Sequence, residues 1–395
     1  MSKIEPQLPL AGLRVLEFSQ LIMAPVAGLI LADLGAEVIK VEPAQAGDPT
    51  RALKGFASGF FPHFNRNKRS VGIDLKRQEG VDLAHRLVKT ADVVIENYAP
   101  GTMERLGCGS EQLCRLNPGL IYCSLKGFLD GPYQNRLALD EVVQFMGALA
   151  YMTGPLGRPL RAGCSVVDLM GGTMGVVGIL AALRERDRTG KGQVVKSALF
   201  ESTVFMMGQH MASSIVTNEP VLPMPDKPSA WGIYEIFNTA DHEQVFIAIT
   251  SDNHWRRFCM AFGRDDLLDD PRLATNAQRS AERQWMVPII EAMIAALAKS
   301  EVMRLCDQAN VPFAPVSKVE DLFNDPHLTQ SGALLDVQLG GVTGKLPRLP
   351  ISLGQHDIGL KRNAPQLGAD TAEILGGIGL GATEIEAMRA KGTIA

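Results

Sequence analysis

Several common features are missing from this 395-residue sequence. The longest apolar runs, Leu21–Leu31 and Leu169–Leu183, fall short of the ~18–20 residues of a membrane span and are interrupted or rich in glycine. No Cys-x-x-Cys pair occurs among Cys108, Cys114, Cys123, Cys164, Cys259 and Cys306, and the seven histidines show no His-x-x-x-His or His-Glu spacing. Reduced thiols and no metal site are therefore expected. Charge of one sign is not in excess: 39 Lys and Arg against 43 Asp and Glu leave a net charge of -4. That balance gives no electrostatic case for nucleic acid or an anionic membrane as partner. The start, Met1-Ser-Lys-Ile-Glu-Pro6, lacks the basic-then-apolar pattern of a signal peptide, so a cytoplasmic enzyme is the expectation. No Gly-x-Gly-x-x-Gly follows the first strand, where Ser19–Pro25 stands instead, which argues against a dinucleotide site. No Gly-x-Ser-x-Gly elbow is present either.

Alternating apolar patterns are present. Leu13–Phe18, Ala36–Glu42, Val71–Leu75, Asp92–Glu96 and Leu120–Ser124 read as strands. Pro25–Leu34, Gly80–Thr90 and Gly109–Asn117 read as helices between them. Strand–helix–strand units of this length imply an α/β fold, a Rossmann-like parallel sheet covered by helices on both faces. The pattern changes after about residue 205. Pro220–Pro228 reads as a boundary loop, and Gly232–Asn238 and Gln244–Thr250 as strands around a turn, with helical text after them. A large unit beginning with residues 1–205 and a smaller α+β unit across 225–330 are expected, followed by a helical tail at Asp370–Lys391.

Four segments carry chemistry. Asn65-Arg-Asn-Lys-Arg-Ser70 is a cationic and amide cluster that fits phosphate and amide groups, or a solvated loop. Asn97-Tyr-Ala-Pro-Gly101 ends a strand where open α/β sheets place ligands, or is a turn. Thr189-Gly-Lys-Gly-Gln193 lacks full phosphate-loop spacing and reads as a helix-ending turn. Asp168 stands in Arg161-Ala-Gly-Cys-Ser-Val-Val-Asp168-Leu-Met-Gly171-Gly172, read as a short strand passing into a long apolar helix. A carboxylate there can be a nucleophile or an ordinary helix cap, held ionised by the helix N-terminus. The two glycines would clear the approach of a ligand.

Taken in order, these segments resemble the class III CoA-transferases of the formyl-CoA and carnitine CoA-transferase type. The similarity runs through Leu10–Glu17, Leu31–Glu42, Asn65–Ser70, Glu96–Gly101, Gly131–Tyr133, Thr189–Gln193, Asp270–Thr275 and Ala364–Gly368. It implies Asp168 as catalytic nucleophile and coenzyme A contacts from Phe64, Asn65, Arg66, Asn67, Asn97, Tyr98, Ala99 and Arg105, with Lys40 as a phosphate partner. Ile22, Met23 and the segment holding Leu139 and Asp140 would lie at the thioester end. It also implies an interlocked homodimer, with residues 335–395 returning to the large unit, and CoA thioesters as substrates without a permanently bound cofactor. Two departures count against formyl or oxalyl substrates: Ile22 replaces a glutamine, and Met224–Trp231 has no glycine run.

Racemases of the same superfamily carry a His before the Asp. Here Leu139 precedes Asp140, and leucine cannot exchange a proton. The segments Leu125–Leu129, Asp140–Gln144 and Leu149–Arg161 look like the subgroup that transfers CoA between succinyl-CoA and itaconate, mesaconate, citramalate or malate. Arg136 or Arg161 could pair with the unreacted carboxylate of such an acid, or serve dimer or CoA contacts. An intramolecular mesaconyl-CoA C1–C4 transferase, a racemase and a non-enzymatic acyl-CoA-binding protein are the alternatives.

Overall fold

The computed structural model describes residues 7–227, 229–354 and 356–395. Two compact units result: Met1–Asp226 with Gln330–Ala395, and Lys227–Thr329. Residues 1–6, on which the reading of the N-terminus rests, and Pro228 of the boundary loop lie outside the described residues.

The first unit is built on six strands: β1 (Arg14–Phe18), β2 (Glu37–Glu42), β3 (Arg69–Gly72), β4 (Val93–Glu96), β5 (Ile121–Lys126) and β6 (Val194–Ala198). All pairings are parallel and the order is β3-β2-β1-β4-β5-β6, the doubly wound arrangement. Both faces are covered, which is why β4 and β5 read as almost unbroken apolar runs. The helices are α1 (Met23–Asp33), α2 (Phe60–Phe64), α3 (Gln78–Val88), α4 (Thr102–Arg105), α5 (Ser110–Leu116), α6 (Asp140–Met146), α7 (Leu149–Thr153), α8 (Val166–Thr189) and α9 (Leu199–Thr217). On one face, Leu83 and Leu87 of α3 and Leu113 of α5 join Ile374, Leu375 and Ile385 of the C-terminal helices in one core. On the other, Ala27 and Leu31 of α1 meet Val176 and Ile179 of α8.

The C-terminal residues close the edge at β3: Ile73 bridges Ile394, and the Asp370 carboxylate accepts the Ser70 N–H at 2.9 Å. The hairpin β10 (Leu334–Leu339) and β11 (Val342–Pro347) precedes them and was not anticipated. In the second unit, β7 (Ile233–Asn238), β8 (Gln244–Ile249) and β9 (Phe313–Pro315) form an antiparallel sheet. Its core gathers Ile233, Ile247, Trp255, Phe258, Ile290 and Val302.

Helix α8 departs from expectation in three ways. No strand precedes it: residues 161–165 form an irregular loop. At 24 residues it is also longer than the apolar run inside it, because Arg184–Thr189 continue the helix on a charged turn. By length and composition alone it could cross a membrane, yet its buried residues pack on α1 and the sheet. It ends as expected, at Gly190 with φ +70, a left-handed cap that satisfies an Arg186 carbonyl.

The third departure concerns Gly171 and Gly172. Both are buried and face α1 instead of a ligand path. A Cβ on Gly172 would stand 2.4 Å from the Met23 carbonyl oxygen, a backbone atom that cannot step aside. The glycines therefore permit close helix–helix approach. Gly172→Ala should lower stability by roughly 1–3 kcal/mol or more, the scale of core overpacking. Gly376→Ala, where a Cβ meets nothing within 4 Å, should leave the melting temperature unchanged or slightly higher. Equal melting temperatures for the two variants would show that the α1–α8 contact is not tight.

Candidate active site

The strand order reverses between β1 and β4, and the loops that follow these strands meet there. The Asn97 side chain clamps the β1 loop from both sides, accepting the Gln20 N–H at 2.9 Å and donating to the Gln20 carbonyl at 2.8 Å. Between the clamped residue and α1, Leu21 adopts φ +62, a left-handed conformation costly for a non-glycine residue.

Two cavities open on either side of this point. The larger, about 480 Å³, is walled by Ile22, Leu139, Leu169 and the aromatic rings of Phe56, Phe60 and Phe64, with Asp140, Arg161 and Asp168 among its polar groups. The smaller, about 240 Å³, is lined by Met23, Asn97, Tyr98, Ala99, Lys126, Arg136, Leu139, Asp140 and Asp168. Leu21, Leu139, Asp140 and Asp168 belong to both. Asp168 thus stands where two separate recesses meet.

Its carboxylate is not the helix cap. Ser165 is the N-cap residue of α8 and makes no capping bond through its side chain. Asp140, from the start of α6, reaches across instead: its Oδ2 accepts the N–H groups of Val167 at 2.8 Å and of Asp168 at 3.0 Å. Gln144 also donates to Asp140, and its Oε1 accepts the Ala162 N–H at 2.8 Å, tying the loop before α8 to the same group. The donors that would have held Asp168 ionised are already used.

Burial first, then the negative charges of Asp140 and Glu141, push the Asp168 carboxyl up to about 7. The expectation of a carboxylate stabilised as the anion by its helix is therefore corrected. Two neighbouring acids have been driven to opposite tasks, one satisfied by backbone donors and one left bare, a pattern that marks sites of chemistry.

The other expected residues divide into two groups. Ile22, Phe64, Leu139, Asp140 and Arg161 line the larger cavity with Asp168, and Met23, Asn97, Tyr98, Ala99 and Arg136 line the smaller. Arg136 and Arg161 are thereby separated. Arg161 is paired with Glu141 at 2.6 Å, and Arg136 lies over the Tyr133 ring at 4.9 Å.

Lys40, Asn65, Arg66 and Asn67 are placed otherwise. Lys40 is fully buried and held by Asp48 at 2.9 Å, the Ser19 hydroxyl at 2.8 Å and Glu17 at 3.2 Å. Arg66 is buried against Asp33 at 2.8 Å. Asn67 bonds Asp33 and, with its Oδ1, accepts the N–H groups of Lys361 and Arg362. Asn65 bonds the Phe61 carbonyl and Lys68. The polar cluster that suggested phosphate binding ties α1, β3 and the C-terminal segment together, and its side chains line neither cavity. Arg105 is exposed on α4, bonded to Thr102, and lines neither cavity.

Sequence reading missed Leu21, His63, Glu141 and Lys126. Leu21 lies in apolar text, and His63 stands just before the Asn65–Ser70 cluster, whose charges drew the attention instead. Lys126 bonds both Glu96 and the Tyr98 carbonyl at 2.6 Å, a contact that exists only once β4 and β5 pair. Among the described residues no group of three or more His, Cys, Asp or Glu side chains is disposed to hold a metal ion.

The sequence profile of the family described as CoA-transferase family III matches residues 10–371. The chain belongs to this family. As a CoA-transferase it is an enzyme whose substrates are CoA thioesters. It is 34% identical over 380 residues to a succinate–glutarate CoA-transferase of Agrobacterium fabrum, covering 93% of this chain and 95% of the relative. It is 34% identical over 402 residues to a succinyl-CoA–D-citramalate CoA-transferase of Chloroflexus aurantiacus, covering 97% of each. A crystal structure of a CAIB/BAIF family protein from Brucella suis superposes with a TM-score of 0.85 at 32% identity, over 94% of this chain and 100% of that one.

Proposed function

We propose that this CoA-transferase moves CoA from succinyl-CoA to a C4–C5 dicarboxylate such as itaconate, mesaconate, citramalate, malate or glutarate, with Asp168 as nucleophile. The observation that carries this reading is the Asp168 carboxylate, without a side-chain hydrogen bond among the described residues, at the junction of two cavities. One recess takes the pantetheine arm past Asn97–Ala99, and the other takes the acid.

In the cycle, an Asp168 oxygen attacks the thioester carbonyl, the C–S bond breaks, and CoA leaves as thiolate. The thiolate attacks the aspartyl carbonyl of the resulting anhydride, releasing the donor acid as carboxylate and leaving an aspartyl-CoA thioester. The acceptor carboxylate then displaces CoA to form a second anhydride. CoA thiolate attacks its acceptor carbonyl, giving the new acyl-CoA and freeing Asp168. Charge balances at every step and one activated acyl bond, thioester or anhydride, is always kept, so no ATP is required.

The named activities of the glutarate and citramalate relatives support the acceptor class. For the assembly we propose the interlocked homodimer: α9 leaves Phe205, Ile215 and Val216 72%, 80% and 84% exposed, a run of apolar side chains that a second chain would cover. The proposed compartment is the cytoplasm, and six free thiols fit a reducing one.

A screen of dicarboxylic and monocarboxylic acids against succinyl-CoA, read by mass spectrometry, tests the reading. At least tenfold preference for C4–C5 dicarboxylates is expected. Equal rates with monocarboxylates would sink it, and turnover of mesaconyl-CoA without any free acid would favour intramolecular transfer.

A further inference from the structure

His63 lines the same cavity as Asp168 and Arg161, yet the transfer cycle gives it no task. It lies in α2, its ring edge-on to Phe64 with centroids 4.6 Å apart. Its Nδ1 is buried and has no hydrogen-bond partner among the described residues. The charged group beside the ring is Arg66, which is 2% exposed. Arg66 gives one N–H to Asp33, while its Nε and Nη1 are also buried without a partner among the described residues.

A guanidinium can only donate. His63 Nδ1 is buried with no acceptor for an N–H among the described residues, so we assign the proton to Nε2. Burial and the Arg66 charge together lower the His63 pKa to about 4, so the ring is uncharged near neutrality. The outcome is a neutral N–H donor on a largely apolar wall.

Of the other charged groups of the cavity, Asp140, Glu141 and Arg161 are engaged. Asp140 caps α8, and Glu141 already balances the charge of Arg161. Three carboxylates against one arginine make the recess unwelcoming to a second anion unless a further donor meets it. We propose that His63 is a specificity-determining residue, donating from Nε2 to an oxygen of the acid's second, unreacted polar group while the reacting carboxyl meets Asp168. This rests on the dicarboxylate reading above.

The test compares glutarate with valerate, acids of equal length that differ in the second carboxylate. In a cycle with a covalent intermediate, kcat/KM for the acceptor reports the acceptor half-reaction alone. A hydrogen bond to a charged group corresponds to roughly ten- to hundredfold in that ratio. His63→Leu should lower kcat/KM for glutarate by that factor and leave valerate unchanged, and His63→Gln, which restores an N–H, should recover most of it. If His63→Leu lowers both acids equally, or leaves the glutarate preference intact, the proposal is overturned and the dicarboxylate reading stands. Equal rates for the two acids in the unsubstituted enzyme would overturn both. Independently of any variant, the His63 Nε2 resonance should move on adding glutarate and not valerate, and a resonance that stays in place overturns the assignment.

Discussion

Asp168→Ala should lose roughly 10³-fold or more in turnover, the scale on which removal of a nucleophile acts. CoA-ester binding should survive, because the residues lining both cavities remain. Hydroxylamine trapping of a reaction with succinyl-CoA should modify Asp168 in the unsubstituted enzyme and nothing in the variant. Near-normal turnover by the variant would end the covalent mechanism.

The same residue ties activity to pH. Attack requires the anion, and with the carboxyl pushed up to about 7, kcat/KM should fall about tenfold per unit below that value. Stability runs the other way. The folded chain prefers the protonated form, while the unfolded carboxyl titrates near its ordinary value of 3.8. Asp168 therefore costs nothing below pH 4, and its penalty grows as pH rises toward 7 and is complete above it. Asp168→Asn should raise the melting temperature at pH 8 by an amount reflecting a few kcal/mol, at about 1.4 kcal/mol per unit of pKa, and should have no effect at pH 4. An Asn variant no more stable than the parent at pH 8 would show that the carboxylate is solvated or paired in solution.

Asp140 should give the second large effect, and two substitutions separate its two roles. Asp140→Ala removes the acceptor of the Val167 and Asp168 N–H groups. Orphaned backbone donors cost about 1–3 kcal/mol each, and the loop before α8 loses its tie through Gln144. The variant should melt well below the parent and turn over slowly at every pH. Asp140→Asn keeps an acceptor oxygen, and asparagine caps helices about as well as aspartate. It removes the negative charge that ranks second, after burial, in raising Asp168. Its acid limb should move to lower pH while its melting temperature falls, though less than that of Asp140→Ala, because the amide group that replaces Oδ1 faces the Gln144 donor. An unmoved limb would mean that the Asp140 charge does not contribute to the titration of Asp168.

The opposed tasks of Asp140 and Asp168 were not legible in the chain, although both residues were. Asp168 looked like the cap because helix-capping is a local pattern, and it stands near the start of a long helix. The capping carboxylate comes from 28 residues earlier, and only the docking of α6 beside α8 brings it there. Gly171 and Gly172 misled for the same reason: a missing side chain shows that something comes close, and the approaching atoms proved to be the Met23 side-chain methyl at Gly171 and the Met23 carbonyl at Gly172. The Asn65–Ser70 cluster advertised charge, and its partners Asp33, Glu17 and Asp370 lie in separate strands and helices.

The sequence by itself determined the parallel sheet, since strands buried on both faces must be apolar throughout, and the loop that follows β4 at Asn97. Its ordered motifs also determined the family. The tertiary structure alone decided which carboxylate is satisfied and which is bare. It set Arg136 and Arg161 on different cavities, enclosed Lys40 and Arg66, and brought His63 to the wall beside Asp168. Periodicity and motifs are properties of neighbouring residues. Desolvation, hydrogen-bond competition and charge coupling depend on distance in space, and the chain order does not record it.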